Sequence, residues 1–505
     1  MIESLISVAF YISTAVTLFL FLLPSRYDPR RFDREQKDAS DAPKTTTQIL
    51  VLGDIGRSPR MQYHAISIAR GGGQVDIIGY NGTAQSGYRI ANEPMTDALY
   101  NTESEVHPDI SSNPRISIIA LPPHPSFLQT SNKLLFLLFG PLKVAFQIVC
   151  LWWALAYRTE PAQWLLVQVR TWPAQIDSQV SFLPAKFGPM QNPPSIPTLA
   201  IASTASFLRH SKLIIDWHNF GYTILALKLG DRHPLVRFSK WYEKSFCRYA
   251  TAHFCVTEAM ASVLKNHFCL TAPILPLHDR PASHFQPIFD QSERKSFLES
   301  LPETTSVKDL LRAGSLRIIV SSTSWTADED FSLLIDALCR YSNLASTSKP
   351  WLPAILAIIT GKGPQKEMYL KQISKLQEAG KLSKVTIRTT WLTTDDYARL
   401  LASASLGISL HTSSSGVDLP MKVVDMFGAG LPVLGWDRFQ AWPELVTEGV
   451  NGMGFGSSGE LLDHLVDLFE NPSKLEKIRA GARKESNRRW NDEWDPIAGR
   501  LLGLT

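Results

Sequence analysis

The feature that most constrains the fold is an alternation, met twice along the chain, of short apolar runs with longer segments of helical character. The first half contains six such runs, at residues 48–53, 74–80, 116–121, 164–169, 213–216 and 253–256. The second half contains five, at residues 316–321, 354–360, 384–388, 406–410 and 432–434. Continuous apolar runs of this length are typical of parallel strands that are buried on both faces. The pattern therefore predicts an α/β fold with two Rossmann-like domains facing a cleft.

Chain length and changes in composition set the domain boundaries. With 505 residues, the chain is long for one core and sufficient for two domains of roughly 200 residues each. We expect residues 45–290 to form the first domain and residues 313–484 the second. The polar stretch 291–312 is predicted to be a linker, and residues 485–505 are predicted to form a C-terminal helix.

The N-terminus is predicted to be a signal-anchor transmembrane helix over residues 1–23. Residues 5–23 are apolar apart from serine and threonine, and their length is close to the ~20 residues that span a bilayer. No small-residue cleavage site follows. Five basic residues come next, at Arg26, Arg30, Arg31, Arg34 and Lys37. The positive-inside rule then places the linker 24–44 and the rest of the chain on the cytosolic side.

A second apolar stretch covers residues 134–157 and is interrupted by Gly140, Pro141 and Lys143. A full membrane span here would leave the two domains on opposite sides of the bilayer. We therefore predict a membrane-associated or re-entrant helix, with Trp152 and Trp153 at the level of the headgroups. A buried core helix is the alternative interpretation.

Charge and cysteine content exclude several classes of function. The formal net charge is only +4, which gives no basis for a nucleic-acid partner. None of the five cysteines forms a Cys-x-x-Cys pair, so neither a zinc site nor a disulfide framework is expected. We predict that the protein has no metal site. We also predict that it contacts the lipid bilayer.

The most specific segment runs from Ser413 to Leu434. A loop of small residues containing Gly416 leads into a helix, where backbone N–H groups can bind a diphosphate. Lys422 would add a positive charge. Asp425, about one helical turn farther on, would accept two hydrogen bonds from a ribose diol. A serine-rich loop followed by a solvent-facing acid is the plainer interpretation.

Further polar residues and glycines follow the predicted strands, at the sheet edge where open α/β sheets bind ligands. Asp216 and His218 follow the fifth run, and a histidine can accept a proton from a hydroxyl group near neutral pH. Glu258 and Asp279 are further acids at comparable positions. The remaining candidates are Asp54, Gly56 and Arg57 after the first run and Gly361 and Gly363 after residues 354–360. A structural turn around Gly56 and an ordinary loop histidine are the alternatives.

At this point the chain resembles a known family. The segment from Pro420 to Val433 resembles the donor-binding motif of GT-B nucleotide-sugar glycosyltransferases. Together with the N-terminal anchor, residues 53–64, 215–222, 277–281, 321–330 and 418–428 extend the resemblance, over nearly the whole chain, to the chitobiosyldiphosphodolichol β-mannosyltransferases. Two departures stand out. Val417 occupies the place of a glutamate common in the broader family, which Asp418 replaces only in part, and residues 321–330 lack the usual basic diphosphate ligands.

The resemblance implies a GT-B protein with a GDP-mannose donor and a dolichyl-diphosphate chitobiose acceptor, the first domain binding the acceptor and the second the donor. It further implies a β-1,4 linkage formed with inversion on the cytosolic face of the endoplasmic reticulum by a single-pass protein, with other transferases of the pathway as candidate partners. No cofactor is expected, although Mg²⁺ stimulation stays open. Another GT-B transferase of this pathway and an inactive membrane scaffold are the alternatives.

The site expected for this reaction has three parts. The catalytic candidates are His218, Asp216, Glu258 and Asp279. The donor-binding candidates are Gly416, Asp418, Lys422, Asp425, Ser324, Gly361, Gly363 and Trp391. The candidate phosphate or acceptor loop contains Asp54, Gly56 and Arg57.

Overall fold

The computed structural model describes residues 23–32, 42–81, 106–123, 125, 133–169, 196–326 and 329–505. The predicted anchor lies outside these residues except for Leu23. Of the linker 24–44, residues 24–32 and 42–44 are described, and the backbone N–H of Tyr27 donates to Arg209 O at 2.8 Å. This part of the linker therefore packs on the first domain.

The first sheet has seven parallel strands in the order β3-β2-β1-β4-β5-β6-β7. They are β1 (Thr46–Asp54), β2 (Gln74–Tyr80), β3 (Ile116–Ala120), β4 (Trp164–Val169), β5 (Lys212–Trp217), β6 (Ala252–Cys255) and β7 (Ile274–Pro276). Every residue of β4 is buried, because helices cover both faces of the sheet.

The second sheet has six parallel strands in the order β10-β9-β8-β11-β12-β13. They are β8 (Leu316–Ser322), β9 (Ala354–Thr360), β10 (Val385–Thr390), β11 (Leu406–Ser409), β12 (Val433–Trp436) and β13 (Gly452–Phe455). The predicted α/β architecture with two Rossmann-like domains is confirmed. The sequence pattern missed β7 and β13, which have only three and four residues.

Helices cover both sheets. In the first domain these are α1 (Pro59–Arg70), α2 (Pro108–Ser112), α3 (Lys133–Trp153), α4 (Thr198–Arg209), α5 (Gly221–Leu229), α6 (Pro234–Phe246) and α7 (Glu258–Asn266), with a π-helical turn Ala154–Arg158 and a 3₁₀ turn Cys247–Tyr249. Local chemistry sets where they begin. Pro59 opens α1, since its fixed φ suits a first helical position. The Thr257 hydroxyl accepts from the Met260 N–H and caps α7.

The helices that follow belong mainly to the second domain. They are α8 (Gln291–Ser300), α9 (Lys308–Arg312), α10 (Ser332–Thr347), α11 (Lys366–Glu378), α12 (Thr394–Ser403), α13 (Met421–Gly428), α14 (Trp442–Leu445), α15 (Ser458–Glu470), α16 (Pro472–Glu485), α17 (Trp490–Trp494) and α18 (Arg500–Leu502), with a 3₁₀ turn Pro302–Val307 and a π-helical turn Asp495–Gly499. The helix α13 begins directly after Pro420, as expected for the donor segment.

Two predicted boundaries are wrong. Residues 291–312 are not a linker, because they form α8, the 3₁₀ turn and α9, and Phe297 and Leu298 pack into the core of the second domain. Residues 485–505 are not one helix, because α17, the π-helical turn and α18 follow one another there. Trp490, Trp494 and Leu504 pack into the first domain's core. The chain thus crosses between the domains twice, and its C-terminal segment returns to the first.

The helix α3 and the π-helical turn after it correspond to the second apolar stretch. Within the described part of the chain, one helix is long and apolar enough to cross a membrane, over Phe139–Arg158. One of its faces packs into the first domain, since Leu151 and Leu155 are fully buried. The opposite face leaves Val149 and Trp153 exposed. The helix is therefore a core element with an exposed apolar side, combining features of both interpretations.

Candidate active site

The two domains meet at loops that follow the carboxyl ends of their strands. The Asn219 side-chain amide donates to Ser414 Oγ at 3.1 Å, and Thr257 Oγ1 donates to Val417 O at 2.6 Å. Glu444 of the second domain accepts from the backbone N–H groups of Glu258 and Ala259, at 2.6 and 2.7 Å. The residues expected at the cleft therefore line one interdomain surface.

Asp216, at the end of β5, is the centre of a buried polar cluster. Arg60 on α1 donates through Nε and Nη2 to the two oxygens of Asp216, at 2.8 and 3.0 Å, and through Nη1 to Asp279 at 2.7 Å. Burial opposes ionisation of Asp216, but the charge of Arg60 and the hydrogen bond from His218 hold its pKa well below the ordinary value. Asp216 is thus a fixed carboxylate.

The C-terminal segment contributes to this cluster through His64 on α1. The Trp494 indole N–H donates to His64 Nδ1 at 2.9 Å, and His64 Nε2 lies 3.3 Å from Asp216 Oδ2. Because Nδ1 accepts, the proton of a neutral His64 must be on Nε2, which faces the carboxylate. Burial lowers the pKa of His64 and keeps the ring neutral. The ring of Trp490 contacts His64 edge to face, with centroids 5.2 Å apart.

His218 is the member of the cluster that reaches the cleft. Its Nε2 lies 2.9 Å from Asp216 Oδ2, and its Nδ1 lies 3.4 Å from Gln168 Nε2. An ionised Asp216 can only accept, so a neutral His218 places its proton on Nε2 and its lone pair on Nδ1. Asp216 is fully buried, so it acts through its contact with His218 and does not touch a substrate itself. Its predicted catalytic role is therefore corrected to that of a positioning residue. The pair has the geometry of a histidine base held by a carboxylate.

Asp425 on α13 faces the first domain from the other side of the cleft. Burial in the cleft and the charge of Asp279 raise the pKa of Asp425 to about 8, although Lys422 opposes the shift. The same carboxylates, together with burial, raise the pKa of Tyr63 to about 12. Asp425 therefore faces like charge, and among the described residues no buried cation pairs with it as Arg60 pairs with Asp216.

Lys422 is not a free cation for a diphosphate. Its Nζ pairs with Glu329, and Ser324 Oγ lies 3.3 Å from the same nitrogen. Glu329 also accepts from the backbone N–H of Ser324 at 2.7 Å. The predicted donor residues Lys422 and Ser324 thus lie together, but a glutamate that the sequence did not single out holds them.

Asp418 is hydrogen-bonded within its own loop, and its predicted role in donor binding stays a prediction. It accepts from His411 Nε2 at 3.0 Å, from Ser415 Oγ at 2.8 Å and from Ser413 Oγ. Burial alone would raise the pKa of Asp418, but the hydrogen bonds and the charge of His411 outweigh it and lower the pKa to about 2. The loop they stabilise contains Gly416, whose φ of +74° is a conformation that favours glycine.

Gly361 and Gly363 allow two loops to pack together, and their predicted contact with a nucleoside stays a prediction. A Cβ at Gly361 would come within 1.8 Å of Thr323 O, and one at Gly363 within 1.8 Å of Ser324 O. These glycines therefore let the loop after β9 lie against the loop after β8. Trp391 is exposed beside them, with Lys362 Nζ 4.2 Å from its ring centroid.

The remaining candidates lie outside the cluster. Asp54 ends β1 and accepts from the backbone N–H of Gly56 at 3.0 Å, and the N–H of Arg57 donates to Asp54 O at 3.1 Å, as in a tight turn. Glu258 is exposed at the start of α7, where Glu444 already occupies the helix N-terminus. Among the described residues, the hydrogen-bond partners of the His218 ring are Asp216 and Gln168, not Glu258.

Curated relatives decide the family. A chitobiosyldiphosphodolichol β-mannosyltransferase of Arthroderma benhamiae is 55% identical over 416 residues, 82% of this chain and 87% of the relative. Its namesake in Yarrowia lipolytica is 40% identical and covers 97% of this chain and 92% of the relative. The chain belongs to the chitobiosyldiphosphodolichol β-mannosyltransferase family. A relative in Arabidopsis thaliana, named UDP-glycosyltransferase TURAN, is 37% identical over 90% of this chain and 96% of its own length.

Solved structures place this mannosyltransferase family member in the GT-B fold. Sucrose-phosphate synthase from Thermosynechococcus elongatus aligns with a TM-score of 0.58 at 12% identity, covering 91% of this chain and 98% of that one. A glycosyltransferase from Rickettsia africae aligns with a TM-score of 0.52 at 13% identity over 91% and 98% of the two chains. No protein-family model matches the sequence. The predicted glycosyltransferase class is confirmed.

Sequence reasoning missed three residues of this mannosyltransferase's site: His64, Glu329 and Trp494. It considered Arg60 only as a charge for phosphates, whereas Arg60 pairs with Asp216 and Asp279. His64 and Glu329 lie in the stretches 53–64 and 321–330 that contributed to the resemblance, but not at a strand end. Among the described residues, no group of three or more histidine, cysteine, aspartate or glutamate side chains could hold a metal ion. The expectations about cofactors and Mg²⁺ stay predictions.

Proposed function

We propose that this protein transfers mannose from GDP-mannose to dolichyl-diphosphate chitobiose and forms a β-1,4 linkage with inversion. One observation carries the proposal: the Asp216–His218 pair and the Asp425 helix approach the same interdomain cleft from opposite domains. A base on one side and a ribose-binding acid on the other suit a single displacement between acceptor and donor.

In the proposed reaction His218 is the base. The 4-hydroxyl of the terminal acceptor sugar would displace the Gln168 amide, which lies 3.4 Å from His218 Nδ1, and lose its proton to that nitrogen as its oxygen forms a bond to C1 of mannose. The bond between C1 and the diphosphate oxygen breaks in the same step, and GDP leaves. Asp216 stabilises the imidazolium that forms, because its carboxylate is ionised and lies 2.9 Å from Nε2. The competing candidates are Glu258, Asp279 and Asp54.

Donor binding is proposed to use α13 and the loop before it. Asp425 would accept from the ribose hydroxyls, and the start of α13 would stabilise the leaving diphosphate. Lys422 would turn from Glu329 toward the phosphates, whose charge is greater than that of one carboxylate. An inactive scaffold is a weaker proposal, because a scaffold does not require an ionised Asp216 aligned with His218 and Arg60.

The acceptor is proposed to reach the cleft from a lipid surface that contacts α5 and α6. The exposed side of α6 combines Phe238 and Trp241, which are 48% and 59% exposed, with the cations Arg237 and Lys240. Aromatic rings beside basic residues are typical of contact with anionic headgroups. Because α5 begins three residues after His218, this surface leads directly to the site.

This surface, the anchor and the positive-inside rule support a single-pass protein in the endoplasmic reticulum membrane with both domains in the cytosol. Flotation with anionic vesicles tests the surface on protein lacking residues 1–23. The double variant Phe238→Ser with Trp241→Ser should bind several-fold more weakly. The exposed Trp351 of the second domain offers a matched control, Trp351→Ser. Equal loss of binding in both proteins would contradict the assignment.

Product analysis tests the reaction itself. Purified protein is incubated with phytanyl-diphosphate chitobiose and, separately, GDP-mannose, UDP-N-acetylglucosamine or UDP-glucose. We expect transfer from GDP-mannose alone, with a product that β-mannosidase cleaves and α-mannosidase does not. Transfer from a UDP-sugar would favour another transferase of the same fold, a possibility that the TURAN relative's name makes worth testing. No transfer from any donor, together with no guanine-nucleotide binding, would favour the scaffold.

A further inference from the structure

A second basic site lies on the second domain, at the end of its sheet opposite the interdomain cleft. A cavity of about 190 Å³ opens beside the start of β8, the residue before β11 and helix α16. Its lining contains four arginines, Arg294, Arg317, Arg479 and Arg483, and one acid, Glu476. The volume corresponds to about six waters at their liquid share of ~30 Å³ each, enough for a diphosphate-sized group.

The four guanidinium groups use few of their donors. Arg294 donates through Nε to Ser403 O at 2.8 Å, and Arg317 makes one bond of 3.3 Å to Gly314 O. Arg479 donates to Glu476 at 2.8 Å and to Ser405 O at 3.0 Å. The guanidinium of Arg483 donates no hydrogen bond to the described part of the chain. Since a guanidinium has five N–H groups, most of these donors are left for a ligand.

The charges also repel one another. All four arginines are half-buried, and the carboxylate of Glu476, their only acidic neighbour in the lining, is itself largely exposed. Burial lowers the pKa of Arg294, and the charges of Arg479 and Arg317 lower it further. Burial likewise lowers the pKa of Arg479; the charge of Glu476 opposes this shift, and the charges of Arg483 and Arg317 add to it. An anion would relieve this repulsion.

The cavity lies between the first crossing, residues 282–290, and α16, the helix that directly precedes the second crossing. Pro287 and Ile288, on the first crossing, line it, and Arg483 lies 5.6 Å from the ring centroid of Phe289. Arg479 and Arg483 belong to α16, the last helix before the chain returns to the first domain. A ligand that contacts Arg294 and Arg483 would therefore connect the start of the second domain with its end.

We propose that this cavity binds a phosphate-containing anion, free or as a lipid headgroup, which joins the two interdomain crossings. Arginine suits such a ligand because its planar fork matches phosphate oxygens. The site is separate from the donor site, since the two lie at opposite ends of the same strands. It therefore binds while GDP occupies the cleft.

Calorimetric titration of the full chain with inorganic diphosphate, in saturating GDP, tests the proposal. We expect one further binding event that weakens as salt is added. The double variant Arg294→Gln with Arg483→Gln should lower the diphosphate affinity about tenfold or more, because each substitution removes charged hydrogen bonds to the phosphate oxygens. Lys477→Gln removes one charge from an exposed position of the same helix and should leave the affinity unchanged. Circular dichroism verifies that all three proteins are folded.

A second experiment distinguishes a free anion from a lipid headgroup. Vesicles of phosphatidylcholine with and without phosphatidic acid are tested by flotation, again in GDP and with the same variants. If the arginines are needed for binding diphosphate but not vesicles, the ligand is a free anion. If they are needed for binding anionic vesicles but not diphosphate, the ligand is a lipid headgroup. Bound anion should also slow amide hydrogen exchange in residues 282–290 and 486–490. Absence of any arginine-dependent binding, or equal binding by the double variant and Lys477→Gln, would overturn the proposal.

Discussion

The Asp216 cluster in the first domain and the donor segment around Asp425 in the second treat buried charge in opposite ways. Asp216 has an arginine on both oxygens and two histidines beside it, so its charge is balanced before any ligand arrives. Asp425 faces Asp279, and Lys422 is paired with Glu329 instead. The first region is organised in advance, which is what a base requires. The charges of the second region are balanced only when a ligand binds.

The comparison predicts its largest effect at His218, the group of the first cluster that is proposed to act on the acceptor. His218→Ala should lower kcat by roughly 10²–10⁴, with donor affinity nearly kept, because general-base catalysis is lost while the donor site is intact. Steady-state kinetics with donor titration measure this. His267→Ala removes an exposed histidine and should behave as wild type. Wild-type kcat in His218→Ala would transfer the role to Glu258 or Asp279.

A second prediction concerns stability. Arg60→Met leaves Asp216 and Asp279 buried without their cation, and breaking a buried pair in this way costs about 3–5 kcal/mol. Lys422→Met removes the cation of the donor segment, where the pair is partly exposed, and should cost clearly less. Urea unfolding of both proteins measures the free energies. Equal losses would mean that the two regions do not differ in preorganisation.

A third prediction tests the donor segment directly. Asp425→Ala should weaken GDP-mannose binding by roughly 1.5–3 kcal/mol, or about 10- to 150-fold, since charged hydrogen bonds to the ribose are lost. Calorimetry measures the affinity. Asp463→Ala, which removes an exposed acid of the same domain, is the matched control. Unchanged donor affinity in Asp425→Ala would remove this acid from the site.

The two carboxylates should also give opposite pH dependences of stability. The pKa of Asp425 is raised to about 8, so the folded protein binds the proton more tightly than the unfolded chain, and this contribution to stability falls as pH rises from about 4 to 8. The pKa of Asp216 is depressed, so its contribution exists above the unfolded value and is lost as pH falls. Unfolding free energies of Asp425→Asn and wild type, measured without donor across this range, should converge toward low pH. A constant difference would contradict the raised pKa.

Sequence reasoning identified the sheets because most strands are continuous apolar runs. It missed β7 and β13, which are three or four residues long and contain Pro276 or glycines, so no run stands out. It placed Asp216, His218 and Asp425 at the cleft because strand ends and the donor helix are local features.

The partners of these residues are distant in sequence, and no local pattern indicates them. Arg60 is 156 residues from Asp216, and Lys422 is 93 residues from Glu329. The same limit applies to Gly361 and Gly363. A glycine needed by a neighbouring loop and a glycine needed by a ligand have the same appearance in a sequence.

The smallest expected effect separates positioning from packing within the Asp216 cluster. Trp494 and Trp490 each donate one indole hydrogen bond from the C-terminal segment, to His64 Nδ1 at 2.9 Å and to Ser67 Oγ at 3.0 Å. Trp494→Phe and Trp490→Phe should therefore each lose about 0.5–1.5 kcal/mol of stability. Only Trp494→Phe frees the His64 proton to move to Nδ1, which turns a lone pair toward Asp216 and weakens the orientation of His218. We expect a several-fold lower kcat with unchanged donor KM in Trp494→Phe alone, and a changed ¹⁵N tautomer signature of His64. Equal kcat in the two variants would mean that the C-terminal segment only packs against the first domain.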